Sequence, residues 1–182
     1  MAAADQLVGE TKRLTLRTPV EGDLDPIGEL WTDPDVTQHL GGPRNRDDVV
    51  EFFREYAADP ETCAREEGER WWSIVARASG AFLGLCSLMQ KEVEGRVETE
   101  LDYFLLPAAW GQGYATEAAR LLADYAFSTL GLTSLVAIID PHNTPSARVA
   151  QKLGMAMERA ALRPDGVVRH VYRLERSVWQ RR

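Results

Sequence analysis

Two glycines one residue apart stand between a strand-like run and a helix-like run, and this feature constrains the chain most. The strand-like run ends at Pro107, and the stretch Trp110–Ala118 leads into helix-forming residues up to Phe127. The first N–H groups of a helix have no internal partner and carry partial positive charge, and glycine lets an anion approach the backbone. The stretch therefore predicts either an anion site at a helix N-terminus or a plain strand-to-helix turn.

Three kinds of anionic ligand are compared with this turn. A P-loop needs a lysine at the end of the turn, and Gly113 is followed by Tyr114 and Ala115. A dinucleotide fingerprint needs Gly or Ala at the position of Thr116. The pyrophosphate of coenzyme A needs the same bare N–H groups and no lysine. The turn alone does not decide among these ligands.

Size and composition favour a single domain over residues 1–182. With 45% hydrophobic residues the chain can form a sizeable core. The net charge of −7 argues against a nucleic-acid partner. Cys63 and Cys86 have no disulfide or metal-site spacing, and the first ten residues contain no apolar signal core. We therefore expect a cytoplasmic protein without a metal site or a membrane segment.

Hydrophobic periodicity and turn residues predict a mixed α/β sheet with the element order β-α-α-β-β-β-α-β-α-β-β. Close turns in the first half indicate an antiparallel meander, whereas a dinucleotide domain would repeat βαβ units from its start. The charged segment 59–69 is predicted to be a loop. We expect strands at 12–18, 70–77, 82–90, 96–106, 135–139, 155–162 and 167–174, and helices at 21–31, 46–58, 146–153 and from the glycine turn to 130.

A second polar stretch, 140–146, follows the apolar strand 135–139. Ligands of open α/β sheets bind beyond the carboxyl ends of the strands, so this stretch is expected beside the glycine turn. Asn143 and Ser146 are candidates to bind the same ligand. The alternative is that either residue only caps the following helix.

Taken together, the motifs and their order resemble the GNAT superfamily of acyl-CoA-dependent N-acetyltransferases. The resemblance covers nearly the whole chain and is nearest to the ribosomal-protein N-acetyltransferases of RimJ/RimL type. It implies a GNAT fold: a mostly antiparallel sheet of about seven strands, a parallel pair splayed at the cofactor site and about four helices. The residues that carry it are Arg13–Arg17, Trp31–Val36, Tyr103–Pro107, Trp110–Ala118, Asn143–Val149 and Lys152–Met155.

The resemblance also implies how acetyl-CoA is bound as a co-substrate. The backbone of Leu105 and Leu106 is expected to pair with the pantetheine arm, Asn143 to hydrogen-bond that arm near the thioester, and Ser146 to lie near the sulfur. Trp110 stands where much of the superfamily has Gln or Arg, so one polar contact is missing. The implied pyrophosphate site consists of Gly111, Gln112, Gly113, Tyr114, Ala115 and Thr116.

Acetyl transfer to an amine requires a proton acceptor, because lysine-type amines titrate near pH ~10.4 and α-amino groups near ~7.7–8.0. Glu98, Glu100 and Asp102 alternate along one strand and so share a face. Glu100 is nearest to the usual base region of the superfamily and is the predicted base. The alternative is that the three acids form a solvated surface.

Two expectations concern the departing thiolate and the oxyanion. Many superfamily members carry a tyrosine seven residues after the asparagine, where this chain has Ala150. Either Ser146 assists the thiolate through a hydrogen bond, or the thiolate leaves without help, since thiols titrate near ~8.5. A backbone N–H near Leu106 is expected to meet the oxyanion.

The amine acceptor is the least constrained feature. A protein N-terminal amine is the first hypothesis, and a polyamine, an aminoglycoside or an amino acid is the alternative. A coenzyme-A-binding sensor without turnover is a third. His39, Trp31, Trp71 and Trp72 could line the acceptor site, and Tyr172 could project towards the acceptor or a partner. Loop exposure of the histidine and core packing of the aromatic residues are the simpler explanations. We expect a monomer or a homodimer.

Overall fold

A mixed eight-stranded sheet forms the centre of the computed structural model, which describes residues 7–163 and 166–181. Its spatial order is β1-β2-β3-β4-β5-β6-β8-β7. Every neighbouring pair is antiparallel except β5 and β6. The strands are β1 (Leu7–Glu10), β2 (Leu14–Arg17), β3 (Glu69–Ala76), β4 (Phe82–Val93), β5 (Arg96–Leu105), β6 (Ser134–Ile139), β7 (Ala156–Leu162) and β8 (Val168–Glu175).

The described residues form seven α-helices, several of them very short. The longest, α5, has 15 residues, and no helix in the described ranges is both long and apolar enough to cross a bilayer. The helices are α1 (Leu24–Thr32), α2 (Pro34–Thr37), α3 (Arg46–Ala58), α4 (Pro60–Glu66), α5 (Tyr114–Ser128), α6 (Thr144–Leu153) and α7 (Arg176–Trp179).

The predicted GNAT-type sheet with one parallel strand pair is confirmed. The structure differs from the prediction by one additional strand and by additional short helices. The strand β1 was not predicted, and α2, α4 and α7 raise the number of helices above four. The loop predicted at 59–69 is wrong, because α4 occupies most of it. Asp59 caps α4 by accepting from the Thr62 N–H at 3.1 Å, and Pro60 begins its first turn. In the predicted final turn, Pro164 and Asp165 lie outside the described residues.

Two hydrophobic cores separate the helices onto opposite faces of the sheet. On one face, α5 and α6 pack against Leu14, Ile74 and Leu101 through residues such as Leu122 and Leu153. On the other face, helices α1 and α3 cover the sheet with Leu24, Ile27, Leu30, Phe53 and Tyr56. The face of α5 and α6 will be called the helix-start face, and the face of α1 and α3 the pocket face.

Candidate active site

The sheet opens between its two parallel strands. In β5 and β6 a single register pair, Glu100 with Val136, is formed before the strands separate toward their carboxyl ends. The next N–H of β6, that of Ile138, donates to Glu100 Oε1 at 3.0 Å. Because this side chain takes the place of a backbone partner, the parallel ladder stops here, and the unpaired stretch that follows toward the strand ends is called the gap.

The backbone of β5 can be assigned to the two sides of this gap. The Leu106 N–H donates to the Leu83 carbonyl at 3.0 Å, on the β4 side. Since successive residues of a strand direct their amides to opposite neighbours, the Leu105 N–H points to the gap. The Leu105 carbonyl accepts the Trp110 indole N–H at 2.7 Å. The Leu106 N–H is therefore bonded within the sheet, whereas the Leu105 N–H faces the gap.

The glycine turn has the geometry that the sequence predicts. Gly111 and Gly113 have φ of 72° and 82°, in the left-handed region that glycine adopts readily. Gly113 is the N-cap of α5, and within the described residues no side chain caps that helix end. The N–H groups at the start of α5, from Tyr114 to Thr116, therefore lack an intrahelical partner. The Gln112 side chain turns back to the Ala108 carbonyl at 2.8 Å.

Arg13, on the turn before β2, fastens this helix start to the sheet. Its guanidinium donates to Glu117 Oε2 at 2.7 Å and to the Gln112 carbonyl at 3.0 Å. It also lies over the Tyr114 ring, 4.5 Å from the centroid. Thr11 donates to the other Glu117 oxygen at 2.5 Å. These bonds hold the pKa of Glu117 below its usual value against the opposing effect of its burial. The sequence did not suggest a role for Arg13, although it is the first residue of the motif Arg13–Arg17.

The second polar stretch reaches the same end of the sheet at the start of α6. Asn143 Oδ1 accepts from the Ser146 N–H at 3.2 Å, so Asn143 does cap the helix. The Tyr103 hydroxyl donates to the Ser146 carbonyl at 3.2 Å and ties β5 to the first turn of α6. Burial raises the pKa of Tyr103 above its ordinary value, so the hydroxyl stays protonated. Tyr103 was missed as a site residue because its partner lies 43 positions further along the chain.

A cavity of about 620 Å³ opens on the pocket face, opposite the helix starts. Its aromatic wall consists of Trp31, Phe52, Phe53, Trp71 and Phe104. Trp31 and Phe104 pack with ring centroids 4.9 Å apart. His39 also lines the cavity, with Nδ1 3.9 Å from Asp140 Oδ1. Of the three tryptophans considered from the sequence, Trp72 instead packs in the opposite core.

The three alternating acids of β5 have different environments. Glu98 forms an ion pair with Arg173, with contacts of 2.5 and 3.1 Å. Glu100 and Asp102 line the cavity. Burial raises the pKa of Glu100 to about 7, against smaller opposing effects of the Ile138 N–H, Lys91 and Arg163. Burial, followed by the charge of Glu100, raises the pKa of Asp102 well above its usual value. A carboxylate with a pKa near neutrality is suited to accept a proton.

Other residues considered from the sequence lie in the cores or away from the gap. Ala150, at the position of the superfamily tyrosine, is buried against α5, and Tyr172 packs in the same core. Burial raises the pKa of both cysteine thiols, that of Cys63 to about 12. Across residues 7–163 and 166–181, no group of three or more His, Cys, Asp or Glu side chains could hold a metal ion.

A strand pair whose ladder ends beside an uncapped helix start, with a buried carboxylate on the other face, characterises this candidate site. The acetyltransferase (GNAT) domain family matches residues 13–156. The chain therefore belongs to the GNAT family, and it is an N-acetyltransferase that uses acetyl-CoA.

The chain is also similar to individual proteins over most of its length. YkkB of Bacillus subtilis, an uncharacterized protein, is 33% identical over 85% of this chain and 87% of its own length. The uncharacterized N-acetyltransferase p20 of Bacillus licheniformis is 29% identical over 81% of this chain and 82% of its own. The crystal structure of an acetyltransferase from Agrobacterium tumefaciens is 28% identical and covers 96% of this chain and 97% of its own, with a TM-score of 0.77.

Proposed function

We propose that residues 1–182 act as one domain that transfers the acetyl group of acetyl-CoA directly to the N-terminal amine of a protein. We place the chain nearest to the RimJ/RimL-type members of the family. The observation that carries the proposal is the position of Glu100. Its carboxylate stands where β5 and β6 separate, and it lines the cavity on the pocket face. One side chain thus borders both the gap and the acceptor cavity.

The residues around the gap fit the parts of coenzyme A. The N–H groups from Gly111 to Thr116 would hold the pyrophosphate, because they are bare and lie at the positive end of α5. The Leu105 N–H would pair with the pantetheine arm or polarise the acetyl carbonyl. Asn143 and Ser146, at the start of α6, would flank the end of the arm. When bound, acetyl-CoA supplies the acetyl group as an activated thioester.

The protein's part in the transfer is chiefly to move one proton and to hold the geometry. Glu100 accepts the proton of the attacking amine, directly or through water, as the new N–C bond forms and the C–S bond breaks. Burial and the charge of Glu100 raise the pKa of the neighbouring Asp102 well above its usual value. With Ala150 at the position of the superfamily tyrosine, the Ser146 hydroxyl is the side-chain donor we assign to the leaving sulfur. No covalent enzyme intermediate is required.

The first test separates donor binding from turnover. Saturating acetyl-CoA should raise the melting temperature, because a ligand that binds only the folded state stabilises it. Release of free thiol should then require an amine, tested with a panel of peptides, polyamines, aminoglycosides and amino acids. No thermal shift would overturn the proposed function. A shift without thiol release from any amine would favour the sensor hypothesis, and turnover of small amines alone would favour the small-amine alternative.

Tyr103→Phe tests whether the bond between β5 and α6 positions the donor. Loss of one buried hydrogen bond should cost about 1 kcal/mol of stability and loosen the first turn of α6. We expect the Kd of acetyl-CoA, measured by calorimetry, to rise about 3–10-fold, a change worth roughly 1 kcal/mol.

Tyr125→Phe is the matched control, because Tyr125 packs edge-on against Trp72 in the core of the helix-start face. It should leave the Kd of acetyl-CoA unchanged. A fall in kcat for Tyr103→Phe with an unchanged Kd would contradict the positioning role and assign the hydroxyl to the chemical step.

A further inference from the structure

The acceptor cavity contains more positive charge than the acidic chain around it. The whole chain has a net charge of −7, yet four cationic side chains line this one cavity, opposed by four carboxylates. Burial raises the pKa of two of those carboxylates, Glu100 and Asp102, and so disfavours their ionised forms. The four cations are Arg44, Lys91, Arg163 and Arg169.

Three of these four cations form no close ion pair with a carboxylate among the described residues. Arg169 has an ion pair, with Asp140 at 3.6 Å. Arg44 donates to the Leu40 carbonyl at 2.9 Å, and Arg163 donates to the Glu92 carbonyl at 2.7 Å. Among the residues that the structure describes, neither of these guanidinium groups nor the Lys91 ammonium lies within 4.0 Å of a carboxylate.

Two of the cations stand close to the proposed base. Lys91 follows Met89 by two residues on β4, and Met89 is the direct cross-strand partner of Glu100. Lys91 and Arg163 each lower the pKa of Glu100, so their charges reach its carboxylate. An amine placed at Glu100 would therefore have cationic groups as neighbours. A second positive charge on the acceptor would be repelled there, whereas a negative charge would be attracted.

We propose that the acceptor carries an anionic group, a carboxylate or a phosphate, close to its reactive amine, and that Lys91 and Arg163 bind this group. The body of the acceptor packs against the aromatic wall formed by Trp31, Trp71 and Phe104. This inference rests on the proposed function and narrows its acceptor. It favours a peptide with an acidic residue behind its N-terminus, or a small amine that carries an acid, and it disfavours polyamines.

The experiment compares acceptors that differ only in the anion. The pairs are Ala-Glu-Ala-Ala and Ala-Gln-Ala-Ala amides, phenylalanine and its amide, and phosphoethanolamine and ethanolamine. The full chain is assayed at pH 7, near the pKa of Glu100, so that part of this side chain can accept a proton. We expect the anionic member of at least one pair to have a kcat/KM about tenfold higher, as one charge-assisted contact would give. The three pairs separate peptide from small-molecule carboxylate and carboxylate from phosphate.

Lys91→Gln and Arg163→Gln should each reduce the preference for the anionic acceptor about tenfold, because the KM for that acceptor rises. Arg54→Gln, which removes a charge from α3 outside the cavity, should preserve it. Equal use of both members of every pair, a preference for spermidine, or an unchanged preference in both variants would overturn the inference while leaving acetyl transfer intact. If no amine yields thiol at all, the proposed function itself fails.

Discussion

Glu100→Gln is expected to reduce kcat/KM for the amine by roughly 100-fold to 10,000-fold at pH 7, the range for loss of a general base. The wild-type rate should fall as the pH drops below about 7, because the pKa of Glu100 is about 7 and the protonated side chain cannot accept a proton. The variant should lack this limb of the pH profile. The difference in rate between the variant and the wild type should become smaller above pH ~8, because an α-amine is already neutral there. Steady-state rates from pH 5.5 to 9.5 measure both effects.

The substitution is conservative at the strand gap, since glutamine can still accept the Ile138 N–H that now bonds Glu100 Oε1. The Kd of acetyl-CoA should therefore be unchanged. Asp102→Asn provides the comparison on the same face. If Glu100→Gln keeps the wild-type pH profile, the base is Asp102 or a water molecule.

The same substitution should stabilise the protein above pH 7. In the folded protein the pKa of Glu100 is about 7, against 4.5 for an ordinary glutamate side chain. The folded state therefore binds the proton more tightly, and the free energy of unfolding decreases as the pH rises from about 4.5 to about 7. At pH 8 the variant should be more stable by up to about 3 kcal/mol, and near pH 4.5 the difference should vanish. Denaturant unfolding at the two pH values checks the sign.

Gly111→Ala should abolish most of the affinity for acetyl-CoA without unfolding the protein. Gly111 has φ of 72°, and an added Cβ would meet no atom of the described protein within 4 Å. The left-handed backbone costs alanine about 1–2 kcal/mol. The methyl group would extend into the open space before α5, where the pyrophosphate is proposed to bind. We expect the Kd of acetyl-CoA to rise at least about tenfold, a cost of roughly 1.4 kcal/mol.

Gly80→Ala is the control that separates the cost of alanine in a left-handed backbone from the loss of affinity for acetyl-CoA. Gly80, in the turn between β3 and β4, also has φ of 72° and no atom within 4 Å of an added Cβ. In the absence of ligand, the melting temperatures of the two variants should fall by similar amounts relative to the wild type. Only Gly111→Ala should lose the thermal shift with acetyl-CoA. Equal shifts in both variants would move the pyrophosphate site away from the glycine turn.

Local signals in the sequence predicted much of the fold and the helix starts. Gly113 precedes a helix because it can adopt φ of 82°, and Asn143 begins the next helix because its side chain bonds the Ser146 N–H. Both are effects of neighbouring residues. The error at α4 was also local, since Asp59 followed by Pro60 is a helix-start signal that the charged composition of the segment concealed.

Long-range contacts explain what the sequence could not predict. Glu98 and Glu100 look alike in the strand pattern, and they differ because Arg173, 75 positions away, bonds Glu98. Leu105 and Leu106 also look alike, and they differ because Leu83 accepts the Leu106 N–H. The cavity is assembled from α1, α3 and five strands, so its charge balance exists only in the folded chain.

The separation of the two faces has a consequence for how such a protein can change. The helix starts of α5 and α6 stand on one side of the sheet, the acceptor cavity on the other, and Glu100 borders both. Substitutions in α1, α3 or the part of β4 around Lys91 can reshape the cavity without altering a group of the proposed donor site. In the proposed arrangement, new acceptor preferences can therefore arise on an unchanged donor half, and the two specificities form separable modules of a single sheet.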